Sequence, residues 1–532
     1  MTIPGPQYSD GIKTGKQTKF AGLNHNDGAG DGELYRMKNL SSDWYPLLAT
    51  RPKRMKFKTL TKGNGLFALK KLCWVDGTDF YYDGTLKGQV ADGKKRFASI
   101  GGMIIIAPDM KYYNVSTDTF GSLGAETTQA VEFRDGTIYG ESAEANTIYA
   151  SGAAWSDYFK AGDAVTLSGC TQTANNISVI IREISGDEMH FYENSFENGS
   201  ESAVTIARQV PALENMLENE NRLWGFSGPT LYASKLGDPF NFYVYDGLDT
   251  DSYAADSGSS GDYTGCITYL GYPTFLKERK IYKVYGSVPS NFEVLGSATL
   301  GLAAGSGKSP AVAGEALLYL NRNGMCIFTG GLPSVINRPF GTERYQNAVA
   351  GSDGVKYYVS MQDMNSAWHF FVYDTQKGMW HEEDGTQVID FAYSEGNLYF
   401  LNAKGEIWIT GNITNPPSGC TEEADFEWCA EFGDFTDESP NKKDIRKLLI
   451  RMDLDKDAYC NVWLQLDSDG EWYQPQDGKL EEDTKRSYFL AIVPRRADHY
   501  RLKLEGKGGC KVYSIAREFS EGSEFKSLPG RQ

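Results

Sequence analysis

Only five of the 532 residues are His and eight are Cys, and neither type is spaced for chemistry. The cysteines, at 73, 170, 266, 326, 420, 429, 460 and 510, form no C-x-x-C pair, which argues against a zinc ribbon or dithiol redox centre. Their scatter fits synthesis in a reducing cytosol. No run approaches the roughly 18 apolar residues of a membrane span. The opening MTIPGPQYSDGIKTGK lacks the apolar core of a secretory signal. His381 begins HEEDG without the second His of H-E-x-x-H, and G-x-S-x-G does not occur. Helical periodicity is almost missing too. The clearest candidate is ALENMLENENRL (212–223), at most two turns leading into a hairpin.

What the chain has instead is 58 Gly, 32 Tyr and 27 Phe, a composition for short strands joined by tight turns. Hairpins recur at 66–90, 97–123, 221–243, 266–295, 311–331, 348–384 and 389–411. Each joins an apolar strand, a turn and an aromatic strand such as KYYNV, TLYAS, KIYKV or HFFVYD. That is the order of strands in a β-propeller blade, and blades bury their faces only against neighbours, so repetition is required. The expected fold is therefore all-β, a propeller of six to eight blades over 59–123 and 211–411. The rhythm breaks at 124–210, read as an inserted β-barrel or sandwich. It breaks again after the Pro/Gly linker GNITNPPSGC, where 412–532 reads as a C-terminal β-sandwich.

Several stretches approach a chemical motif and fall short. In GLAAGSGKS (301–309) the first glycine of G-x-x-x-x-G-K-[ST] would have to be Leu302, and Pro310 follows instead of a helix. The sequence suggests a flexible, exposed loop there. DLDKDAY (453–459) puts Ala458 where a calcium loop needs Gly and Leu464 where it needs Glu. Asp246, Asp249, Asp251 and Asp256 form a better, though loose, cation candidate near Asp249. Catalysis, a cofactor and a resident metal are not expected.

The net charge is -17, yet residues 1–58 carry ten Lys/Arg against five Asp/Glu, or +5, leaving -22 for the rest. A basic arm on an acidic body suggests contact between subunits. Arg51, Lys53 and Arg54 in RPKRMKFK are the candidate interface residues, because so dense a charge suits a buried strand poorly and Pro52 disfavours a central ladder position. An exposed, Lys-protected edge strand is the alternative, and contact with DNA a third option.

Two longer stretches, MKNLSSDWYPLLATRPKR (37–54) and NRLWGFSGPTLYASKLGDPFNFY (221–243), resemble the tail hub or nozzle proteins of short-tailed bacteriophages. The resemblance covers about 35–411 and is weaker in the insert and C-terminal domain. It implies a propeller with added β-domains, six copies of which ring the DNA channel below the portal and adaptor. Partners would be the chain itself, the head-to-tail adaptor and portal, tail fibres or tip proteins, and genomic DNA passing without sequence recognition. The location would be the virion tail. Trp224, Leu231, Tyr232, Phe240 and Phe242 would be blade core or blade-to-blade contacts, with Asp238 and Pro239 setting a turn. A glycan-binding propeller adhesin is the alternative, and a propeller glycosidase a third class.

Overall fold

The computed structural model describes residues 11–136, 141–192, 196–437, 442–484 and 486–521; the first ten residues of the basic arm lie outside them. Among the described residues the regular elements are strands, apart from four single-turn 3-10 segments. No helix among them is long and apolar enough to cross a membrane. The chain is all-β and of the propeller type. Seven antiparallel meanders recur as blades, six with four strands and the last with five. They fall into two compact units, 61–310 and 1–60 with 311–532.

The first unit holds blades one to four, at 63–89, 96–122, 215–256 and 265–298. Between blades two and three the chain forms a closed six-stranded barrel from Ala125–Gly136 to Gly199–Arg208. The barrel has its own core, in which Phe133, Trp155, Ile181 and Phe191 are fully enclosed.

Blade three shows why the strands read as continuous apolar runs. One face packs Trp224, Phe226 and Leu231 against Phe275 and Tyr282 of blade four and Tyr263 just before it. The other sets Leu223, Tyr232, Phe240 and Phe242 against Ala98, Ile100 and Ile105 of blade two. Both faces are buried, so polar alternation disappears.

ALENMLENENRL is a strand and a turn, not a helix. Asn215–Asn219 pairs with Arg222–Ser227, and both Met216 and Leu217 are buried. Glu220 (φ 49°) and Asn221 (φ 57°) are both left-handed, as a two-residue hairpin turn requires. The loop 301–309 is exposed only at its tip, Ala304 and Gly305. Leu302, Ser306 and Ser309 have no accessible surface, and a Cβ at Gly301 would collide with the Lys277 carbonyl. The small residues fit a close approach of backbone to backbone.

The second unit holds blades five to seven, at 311–335, 345–384 and 388–410. Blade seven takes a further strand from near the N-terminus: Met55–Thr59 runs antiparallel to Glu406–Thr410, with Met55 opposite Ile409. Phe57 meets Tyr399 edge to face at 5.8 Å. The C-terminal region forms two further sheets. Lys443–Leu454 pairs with Cys510–Glu521 in one, and Tyr459–Leu466 with Tyr500–Lys507 in the other. Strands from the N-terminal segment complete both, Leu48–Thr50 in the first and Leu34–Lys38 in the second. The described part of the arm is therefore woven into the folded unit.

Candidate functional site

The residues singled out by sequence lie in two buried polar joints, one in each unit. In the second unit, Arg51 and Arg54 are each only 4 % exposed. Arg51 donates both terminal nitrogens to Glu423, at 2.7 and 2.9 Å, and its Nε to Asn39 Oδ1 at 2.8 Å. Arg54 donates to Asp384 at 2.7 Å and Glu383 at 2.6 Å. Its guanidinium lies over the rings of Phe370 and Phe400, at 4.9 and 5.2 Å. Burial alone would raise the pKa of Asp384, but Arg54, Thr386 and Arg51 overcome it and hold the carboxyl at about 2. Burial likewise opposes ionisation of Glu423, and Arg51 reverses that effect so that its pKa is lowered.

These contacts correct the interface assignment for Arg51 and Arg54. Their charge is consumed within the chain by carboxylates far away in sequence, and neither is available to a neighbouring subunit. Lys53 differs: its side chain is 35 % exposed and it pairs with Asp425 at 2.8 Å and Glu422 at 3.6 Å. The HEEDG stretch supplies the anionic half of the joint through Glu383 and Asp384. His381, beside them, is buried, and that burial lowers its pKa to about 3, so the ring is neutral at ordinary pH.

The rest of 37–54 stitches the same region. Ser42 Oγ donates to Asp374 of blade six at 2.6 Å, Asp43 pairs with Lys356 of the same blade, and Asn39 Nδ2 donates to the Glu427 carbonyl at 2.8 Å. Met37, Leu40, Leu48 and Ala49 are buried. The stretch thus ties blade six to the C-terminal sheets.

The second joint, in the first unit, is built by 221–243. Trp224, Leu231 and Phe242 are at most 2 % exposed, while Tyr232 and Phe240 are half-buried. Asp238 sets its turn by accepting the Phe240 N–H at 3.1 Å, with Pro239 buried behind it. Asn241 then reaches into the barrel. Its Nδ2 donates to Asp163 Oδ1 at 2.9 Å and its Oδ1 accepts the Ala164 N–H at 3.1 Å. Arg208 closes the clasp from the last barrel strand, pairing with Asp163 and donating to the Leu123 carbonyl at 3.0 and 3.1 Å. Asp163 is fully buried and Asn241 nearly so. Sequence reasoning missed Asp163, Arg208 and Asn241. The one local signal is the Asp-Pro-x-Asn spacing within GDPFN.

Arg222, next to the Glu220–Asn221 turn, organises the loop that follows Thr230–Ala233. It is 2 % exposed and donates to the carbonyls of Ser234 at 3.0 Å and Asp249 at 2.7 Å, and also to that of Asp251. Asp251 caps the same loop by accepting the N–H groups of Gly247 and Leu248, at 2.7 and 3.0 Å. Asp246, Asp249 and Asp256 are exposed while Asp251 is buried and turned to backbone N–H groups, and no three of the four bring their carboxylate oxygens together as a cation site. Among the described residues the one group of three potential metal ligands is Asp467, Asp498 and His499.

No protein-family model matches the chain, and no curated protein matches it. Solved structures do. U3-55K is similar at 6 % identity over 67 % of this chain and 97 % of its own, with a TM-score of 0.35. BamB from Moraxella catarrhalis is similar at 10 % identity over 69 % of this chain and 99 % of its own, TM-score 0.34. Raptor from Chaetomium thermophilum follows at 12 % identity, over 68 % of this chain and 30 % of its own, TM-score 0.28.

Proposed function

We propose that this chain is a structural protein of a phage tail, a hub or nozzle subunit that assembles as a six-membered ring and continues a DNA conduit below the portal and adaptor. In this reading it works without catalysis or a cofactor. It offers attachment points to tail fibres or tip proteins.

The observation that carries the reading is where the two family-like stretches sit. Residues 37–54 and 221–243 are the segments that fix accessory β-structure to blades, through Arg51 and Glu423 in one case and Asn241 and Asp163 in the other. A chain that spends its most distinctive residues on fixing domains suits a part that bears load. The charge of -22 beyond residue 58 suits a wall past which DNA must slide, because phosphate contacts would bind tightly and slow it.

Negative-stain imaging and mass photometry of the purified chain test this directly. The expected result is a closed ring of identical subunits with a central opening. A monomer at every concentration, together with particles that show no such ring, overturns it.

A further inference from the structure

A groove of about 540 Å³ runs along the joint between blade two and the barrel, within the size range of small-ligand sites. One wall is the blade's outer strand, Thr119–Ser122, and the start of the barrel. The other is the single turn Trp155–Asp157 with Tyr158 and Lys160 after it. We propose that this groove binds a short neutral oligosaccharide through the rings of Tyr112 and Tyr158 and the carboxylates of Glu126 and Asp157.

The aromatic part is set in place by the blade. Tyr112 pairs across the sheet with Gly121, and a Cβ there would stand 2.9 Å from its ring, so the ring lies directly over glycine backbone. Phe240 braces it edge to face at 5.1 Å. Phe240 is itself held under Lys160 and Arg208, at 4.9 and 5.2 Å. Tyr158, on the opposite wall, is 42 % exposed. Aromatic rings fixed at a domain junction, with a few polar groups beside them, are what an amphipathic sugar face requires.

Charge selects among ligands. Of the cations of the groove, Arg208 is consumed by buried Asp163, while Lys160 pairs with Asp238 at 3.2 Å and keeps 54 % of its side chain exposed, so the groove's two carboxylates face one accessible cation. Glu126 and Asp157 line it as acceptors. Carboxylates repel phosphate, uronate and nucleic acid by like charge, whereas sugar hydroxyls donate hydrogen bonds to them. A neutral polyhydroxyl chain fits best. This inference is independent of ring formation, since the groove lies within one unit of one chain.

The test uses the full-length protein on an array of short neutral hexose and N-acetylhexosamine oligosaccharides, with acidic glycans as controls. The best neutral binder is then titrated calorimetrically. Saturable binding to a neutral glycan is expected, weakened roughly tenfold or more by Tyr158→Ala and by Asp157→Ala, the scale at which a contact counts as a binding hot spot. Both residues are exposed, and thermal unfolding verifies that both variants fold. Absence of binding across the neutral array overturns the proposal. So does binding confined to acidic glycans, or neutral binding that neither variant changes.

Discussion

The joint at Arg51 and Arg54 sets two guanidiniums against three carboxylates, whereas the clasp on the barrel sets one guanidinium and one amide against one fully buried carboxylate, with Asp238 beside it nearer the surface. The first is redundant, because Glu383, Asp384 and Glu423 lie within 4.0 Å of Arg51 and two of them also bond Arg54. The second rests mainly on one residue: Asp163 receives both Arg208 and Asn241, and the other ion pair across it, Lys160 with Asp238, is solvent-exposed. Their tasks differ in the same way. The first gathers an N-terminal segment, two blades and the C-terminal sheets, while the second fixes a barrel that already has its own core. Damage to the first should therefore spread, and damage to the second should stay local.

The largest break comes from Arg54→Met. It keeps an apolar stem over Phe370 and Phe400 but leaves Glu383 and Asp384 buried without their main cation. Removing one partner of a buried pair costs about 3–5 kcal/mol. Denaturant unfolding should show that loss, and hydrogen exchange should rise in blades six and seven and in the C-terminal sheets together. Exchange confined to 51–59 would show that the joint does not couple these elements.

Asp163→Ala is the matching break in the clasp, at about 3 kcal/mol, because Arg208 loses its buried counter-ion. Here faster exchange should stay near 121–126, 160–166, 205–208 and 238–242, with blade four unaffected. Spreading into blade four would erase the distinction between the joints.

Neither joint was fully legible from sequence, for a physical reason. The hairpins were legible because turn residues and strand alternation are local, as in SGPT between Arg222–Ser227 and Thr230–Ala233. The charge of Arg51 and Arg54 was legible as well, but their partners lie 372 and 330 positions away, and no local pattern reports such pairing. Asp163 and Asn241 are separated by 78 positions and look in isolation like ordinary turn residues. The strand at Asn215–Asn219 was hidden by helix-favouring Glu, Leu and Met, whose preference the packing of both blade faces overrides.

Acid offers a way to weaken the first joint without mutation. Asp384 has a folded pKa of about 2 against an ordinary 3.8. Because the folded value is the lower one, the stabilisation is complete above the unfolded pKa and is lost as pH falls through the folded one. About 2 kcal/mol should disappear between roughly pH 4 and pH 2. In Arg54→Met that part of the acid slope should flatten, and an unchanged slope in the variant would assign the acid sensitivity to other carboxylates. Within the clasp, Asn241→Ala is a finer probe. Its amide bonds an ionised carboxylate, a contact that contributes about 1.5–3 kcal/mol, and Asp163 keeps Arg208, so the loss should fall below that of Asp163→Ala.

The smallest effect separates the joint from any contact with a second subunit. Lys53 is the one member of Arg51, Lys53 and Arg54 that reaches solvent, and it pairs with Asp425 and Glu422 at the surface. Exposed pairs of this kind contribute little to stability. Lys53→Glu should leave the unfolding midpoint where it is, whereas reversing Arg51 or Arg54 would wreck the fold and say nothing about assembly. The same variant is then a clean assembly probe. If the basic surface beside the joint meets a neighbouring subunit, Lys53→Glu should remain folded by thermal unfolding yet shift toward free subunits in mass photometry. If it assembles like the parent chain, the charge at Lys53 serves only its own Asp425 and Glu422, and ring contacts must be sought elsewhere on the molecule.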